Sequence, residues 1–297
     1  MASPAAVWAP ARSLPRRVLR LGLGHHQLWI GAIPLGVMVA LAVIAPFFVP
    51  LQVIGTATPD LPPSVQHLMG TGTHSQEIFS EWIYAARYSL GIGFAAGLGT
   101  TILGAVIGIT AGYVGGLLDD VISFVINLFL AVPPFPAIFV IAFSVGVVGA
   151  MPLVIVLTLT TWAYGAGLLR SQTISLKQRE FVQSAVAVGE RPWSAMWHEL
   201  MPHLRGLVLF VLVGAVLIAL QTEFGLEFLG WGVLADSNAL GGGWGAMLFN
   251  AHFDNDFAAG IWWTWVFPGL GITLTSASLA LISSGVIAAT NPRESKP

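Results

Sequence analysis

Glu223 and Glu227 stand one helical turn apart near the end of a long apolar run. A helix brings residues four apart onto one face. Ionisable groups at membrane depth are costly and commonly serve ion or solute paths. The same pair also reads as an interfacial, hydrogen-bonded feature, and the residues alone leave both readings open. His252, Asp254 and Asp256 carry cation-binding groups, with an exposed acidic loop as the plainer reading. His25 and His26 are adjacent, so on a helix they face apart and make no metal pair. Gly241, Gly242 and Gly243 lack the following Gly-Lys-Ser/Thr of a phosphate loop. There is no cysteine, which removes disulfides, thiol catalysis and thiolate metal sites. No catalytic residue and no metal site is expected.

The elements that hold these residues are membrane spans. The chain is 297 residues long, 56% hydrophobic and only 9% charged, with a mean hydropathy of +0.81. Soluble domains carry about 25% charged residues. The expectation is an all-α polytopic membrane protein in contact with lipid. Its six spans are read at about 29–49, 84–114, 121–147, 153–169, 207–229 and 262–289. Together they form one transmembrane domain, 29–289, between short tails at 1–28 and 290–297. The first span is too long for a signal-peptide core and reads as a retained anchor. The net charge of −2 argues for no nucleic-acid partner.

Within the spans, Gly93-x-x-x-Gly97 and Gly104-x-x-x-Gly108-x-x-x-Gly112 lay bare backbone on a helical face, which allows close helix contact. Pro133, Pro134 and Pro136 interrupt the third span. Proline breaks the helical ladder, so this span is expected to kink, either as a fixed bend or to line a pathway. Asp119 or Asp120 is placed to cap the helix after Gly115-Gly116. Trp262, Trp263 and Trp265 read as an interfacial belt.

The longest polar interruption of the second half lies at 170–206. It reads as two short helices around Gly189, a plausible left-handed stop. Pro192 suits the first turn of the second helix, which is expected to end near Met201 and Pro202. Basic residues Arg170, Lys177, Arg179, Arg191 and Arg205 flank and cross it. Arg12, Arg16, Arg17 and Arg20 lie in the N-terminal tail, and Arg293 and Lys296 at the C-terminus. Only Arg87 lies elsewhere, and the segments 50–82 and 233–260 hold no Lys or Arg. The positive-inside rule then puts both termini and the 170–206 loop in the cytoplasm.

This loop resembles the cytoplasmic Glu-Ala-Ala loop of permease subunits in binding-protein-dependent ABC importers. The family frame is Glu-Ala-Ala, three residues, Gly, nine residues, Ile-x-Leu-Pro. Here it is Gln183-Ser184-Ala185, then Gly189, then Glu199-Leu200-Met201-Pro202, with the same spacing. Other segments resemble the dipeptide, oligopeptide and nickel branch, and its C-type peptide permeases in particular. They are Tyr84, Ala86, Arg87, Ser89 and Leu90; Ala111-Gly112-Tyr113 through Asp119; Ala131-Val132-Pro133; Glu223 through Gly232; Trp244-Gly245-Ala246-Met247-Leu248; and Phe267-Pro268-Gly269. The family's acidic-basic motif upstream of the second span is eroded at Gly72 and Ser75-Gln76-Glu77, and Glu227 replaces a family serine.

The resemblance implies a type I ABC importer permease fold in a prokaryotic inner membrane. It implies a second homologous permease subunit, two cytoplasmic ATPase subunits and an external substrate-binding protein. With no Gly-x-x-x-x-Gly-Lys-Ser/Thr in this chain, ATP and Mg are expected on the partner ATPases. The implied coupling residues are Arg179, Glu180, Gln183, Ser184, Ala185, Gly189, Arg191 and Pro202, and Pro133, Glu223 and Glu227 are the candidates for the pathway. The implied function is passage of di- or oligopeptides, or a similar small solute, by alternating access. An ion-coupled secondary transporter and an intramembrane enzyme are the alternatives. The enzyme lacks its usual Gly-x-Ser-Gly or Gly-x-Gly-Asp, and no histidine lies within an apolar span.

Overall fold

A computed structural model describes residues 23–49, 58–145, 149–187, 192–231 and 242–290. Eleven helices run through them: α1 Leu23–Ile44, α2 Ile78–Val114, α3 Gly116–Ala131, α4 Pro134–Val145, α5 Ala150–Lys177, α6 Glu180–Ala187, α7 Pro192–Ala195, α8 Met201–Phe228, α9 Trp244–Phe253, α10 Asp256–Ala259 and α11 Trp263–Thr290. Among the described residues there is no strand, only one isolated bridge between Thr71 and Glu77.

Among the described residues five helices are long and apolar enough to cross a membrane, and a bent pair, α3 with α4, makes a sixth candidate. At ~1.5 Å per residue, the 37 residues of α2 reach about 55 Å, well beyond a hydrocarbon core of about 30 Å. Its apolar side chains at Phe94, Leu98, Ile102 and Val106 face outward, as a lipid-bathed helix requires.

The glycines of α2 fix the bundle's register. Gly93 and Gly97 meet Leu220 and Val216 of α8, so the two helices run antiparallel. Gly104, Gly108 and Gly112 meet Trp162, Ala166 and Arg170 of α5, so those helices run parallel. The expected single glycine face is thus two faces, one for each neighbour. At Gly108 a Cβ would overlap the carbonyl oxygen of Ala166, and only a bare backbone admits this approach.

Two parallel neighbours need a crossover, and α3 and α4 supply it with an 84° bend between them. Val132 is extended, with φ −89° and ψ 126°. Proline favours this conformation in the residue before it. The third span is therefore a broken pair rather than one kinked helix.

Three further sequence expectations are corrected. Neither Asp119 nor Asp120 caps α3, whose start has no side-chain cap. Asp119 instead receives Arg170, with Nε to Oδ1 at 2.5 Å and Nη2 to Oδ2 at 2.7 Å. Pro202 does not end a helix but sits in the first turn of α8. A π turn at Met196–Leu200 precedes it, and that wider turn accommodates the donor a proline lacks. Trp263 is not in a surface belt; it is buried, and its indole N–H donates to the carbonyl of Thr71 at 2.9 Å.

Candidate functional site

Two polar centres lie at opposite ends of α2. The C-terminal end of α2 carries the elbow formed by α6, α7 and the π turn. The backbone N–H groups of Val182 and Gln183 donate to the carbonyl of Arg179, which opens α6. Val182, Met196, Leu200 and Leu204 are buried against Tyr113, Leu169 and Val211. This apolar underside ties the elbow to α2, α5 and α8 together. Phe181 stacks on His203 with ring centroids 4.7 Å apart.

The upper face of the elbow is polar. Arg179, Glu180, Gln183 and Ser184 are exposed, and so are Pro202 and Arg205. Ala185 lies on α6, while Gly189 and Arg191 lie outside the described residues. The basic residues thus divide into two sets. Arg170 is spent on Asp119, and Lys177 Nζ donates to the carbonyl of Tyr113 at 2.5 Å. A cation there suits the carbonyl-rich C-terminus of α2. Arg179 and Arg205 stay at the surface. A cavity of about 520 Å³ opens beside the elbow, walled by Tyr113, Asp119, Lys177, Val182 and Gln183 among others.

At the other end, Glu223 and Glu227 are both buried. Ser89 of α2 donates its hydroxyl to Glu223 Oε1 at 2.9 Å. The Trp244 amide donates to the same hydroxyl oxygen at 3.3 Å. Glu227 receives the Gly243 amide at 2.9 and 3.0 Å and the Ala246 amide at 3.1 Å. These amides belong to the orphan donors at the start of α9, so Glu227 is that helix's cap. The acidic pair is hydrogen-bonded, and it joins α2, α8 and α9. The second oxygen of Glu223 has no partner among the described residues. Ser89 was legible only as part of a motif.

The loop acids do not converge. Asp254 pairs with His74 at 3.0 Å, and Asp256 accepts the hydroxyl of Thr73 at 2.9 Å. His252 lies against the ring of Phe257, with centroids 6.1 Å apart. Burial pushes the Asp254 carboxyl up from its ordinary value; His74 opposes the shift and Asp256 adds to it. These contacts dock the segment around Thr71 onto α9 to α11. Among the described residues no three His, Cys, Asp or Glu side chains are grouped to hold a metal.

Pro133 lies exposed at the break between α3 and α4. The next residue but one, Phe135, packs at Gly225, which lies between the two glutamates in sequence and on the opposite face of α8. A second cavity, of about 570 Å³, is walled by α2, by the start of α5 and by Gly242. Arg87 reaches this cavity rather than the acidic pair.

Comparison with known proteins adds an independent observation. The family model described as binding-protein-dependent transport system inner membrane component matches residues 104–296. The dipeptide transport system permease protein of Bacillus subtilis is 29% identical over 259 residues, covering 85% of this chain and 78% of the relative. The oligopeptide transport system permease protein of the same organism is 27% identical over 268 residues, covering 89% and 85%. The nickel transport system permease protein of Escherichia coli is 32% identical over 238 residues, covering 76% and 79%.

Proposed function

The chain belongs to the family of binding-protein-dependent transport system inner membrane components, and from that membership we infer how its elbow works in transport. It is a permease component of an ABC importer, with the type I importer permease fold. The solute is a di- or oligopeptide, or a small solute of similar size, as the names of the relatives suggest. The pathway runs between the spans of this chain and those of a second homologous permease. Two cytoplasmic ATPase subunits bind ATP and Mg, and an external binding protein delivers the solute.

The observation that carries this reading is the elbow. Its exposed face offers Arg179, Glu180, Gln183 and Ser184 to a partner, while its underside is locked to α2, α5 and α8 through Val182 and Leu200. A partner that moves the elbow therefore moves three spans together. Both termini and the elbow face the cytoplasm, where the ATPases sit. Solute and ATP shift the equilibrium between access states only through their different affinities for those states.

The cysteine-free sequence permits a direct test. Gln183→Cys, in a complex assembled with ATPase subunits carrying single cysteines along their groove, is expected to cross-link to the ATPase. Nucleotide is expected to change the cross-linking rate. Absence of any cross-link in an assembled, ATP-hydrolysing complex sinks the docking assignment.

A further inference from the structure

The wall of the 570 Å³ cavity is one stripe of α2: Tyr84, Arg87, Tyr88, Gly91 and Ala95, at helical spacings of three and four. The opposite stripe, with Ser89, Gly93 and Gly97, packs against α8 and α9. Arg87 is thus turned away from the helix bundle's packed side and into open space. In front of Gly91 nothing lies within 4 Å of where a Cβ would stand.

Arg87 is unusual in three ways. It is the one basic residue outside the two tails and the 170–206 loop. Among the described residues no carboxylate or other acceptor pairs with it, whereas Arg170 and Lys177 are both paired. It also sits about 14 Å along α2 from Ile78, near the mouth at the α9 end. Arg87 is exposed, and the planar fork of a guanidinium matches a carboxylate. Apart from Tyr84 and Tyr88 the surroundings are apolar: Ile92, Ala150, Met151, Val154 and Gly242 complete the wall. The volume lies in the range of small-molecule sites.

We propose that Arg87 is the recognition point for a carboxylate on the transported solute, whose apolar body lies along Gly91 and Met151. The ligand class is a small carboxylic acid with an apolar side chain, such as the C-terminal residue of a short peptide. This rests on the translocation-pathway reading above and narrows its substrate. It requires a free carboxylate at the mouth and uses none of the buried glutamates.

The test places one thiol in the cavity, Gly91→Cys, in the complete transporter held in nanodiscs. The rate of maleimide labelling is measured with alanylphenylalanine and with its C-terminal amide as probes. The acid is expected to slow labelling at least fivefold, and the amide to leave it unchanged. Adding Arg87→Gln is expected to abolish protection, and Arg87→Lys to retain part of it. Equal protection by acid and amide overturns the proposal, as does no protection by millimolar acid. Protection that follows the anionic-lipid content instead of the probe also overturns it, because Arg87 would then hold a headgroup phosphate. Solute-stimulated ATP hydrolysis is read on the same complex. Its absence would sink the transport reading itself, whereas its presence without acid-selective protection sinks only the carboxylate site.

Discussion

Both carboxylate oxygens of Glu227 lie within hydrogen-bond reach of the Gly243 amide, at 2.9 and 3.0 Å. A side chain near the end of one long helix thereby caps the start of another. Gly243 is buried, so water cannot replace the acceptor. Glu227→Ala is expected to destabilise the protein by about 1–3 kcal/mol, the cost of burying unsatisfied donors. Glu227→Gln keeps one carbonyl acceptor and is expected to lose less. Unfolding in mixed micelles measures both, and equal losses would remove the cap from the account.

Asp119 and Arg170 form a two-point ion pair that joins the start of α3 to α5. Both side chains are partly covered, so the coupling should exceed that of an exposed pair, at roughly 1–2 kcal/mol. A double-mutant cycle with Asp119→Asn and Arg170→Gln reads it directly. Additive losses would show that the two groups do not stabilise one another.

Val182 anchors the elbow in the cluster that also holds Tyr113 and Leu200. Val182→Ser removes apolar contact while leaving the exposed face of α6 unaltered. The expected outcome is retained ATPase assembly with solute-stimulated hydrolysis reduced several-fold. Loss of assembly together with stimulation would place the docking energy in the anchor instead of the exposed face.

The sequence made local relations legible and long-range ones not. The glycine rows of α2 announced close packing because a missing Cβ is visible in one segment. That they serve two different neighbours required knowing where α5 and α8 lie. Asp119 was misread because a carboxylate early in a helix is usually a cap, and nothing local reveals Arg170, 51 positions away. The bond from Ser89 to Glu223 spans 134 positions and the one from Trp263 to Thr71 spans 192, distances at which residue patterns carry no partner information. Pro202 was misread because its effect depends on the turn before it. The acidic pair at Glu223 and Glu227 was legible as unusual, while its partners Ser89, Gly243 and Ala246 were not legible as such.

Asp254 gives a pH dependence of definite sign. Its folded pKa is raised above the ordinary 3.8, mainly by burial. Between the two values the folded state binds more protons than the unfolded one, so stability falls as pH rises from about 4 through the folded value. Asp254→Asn is expected to flatten this slope. Unfolding measured across that window checks it; a slope unaffected by the substitution would assign it to other groups.

Pro133 and Pro134 specify the bend between α3 and α4 twice over. Proline disfavours helix in the residue before it, so Pro133 favours the extended Val132 and Pro134 constrains position 133 in turn. Pro133→Ala alone therefore leaves a constraint at the break, whereas the double change Pro133→Ala with Pro134→Ala frees both positions and leaves only the milder kink of Pro136 in a helix that runs through. Exposed Leu118 and Ile141 take spin labels after Cys substitution. At ~1.5 Å per residue, the right-angled arrangement separates their backbones by about 25 Å and a straight helix by about 35 Å. The single variant is expected to keep the short distance and the double variant to shift toward the long one. A double variant that stays at the short distance would mean that packing of Phe135 at Gly225 and of Ile138 against Leu153 and Leu157 imposes the bend without the prolines.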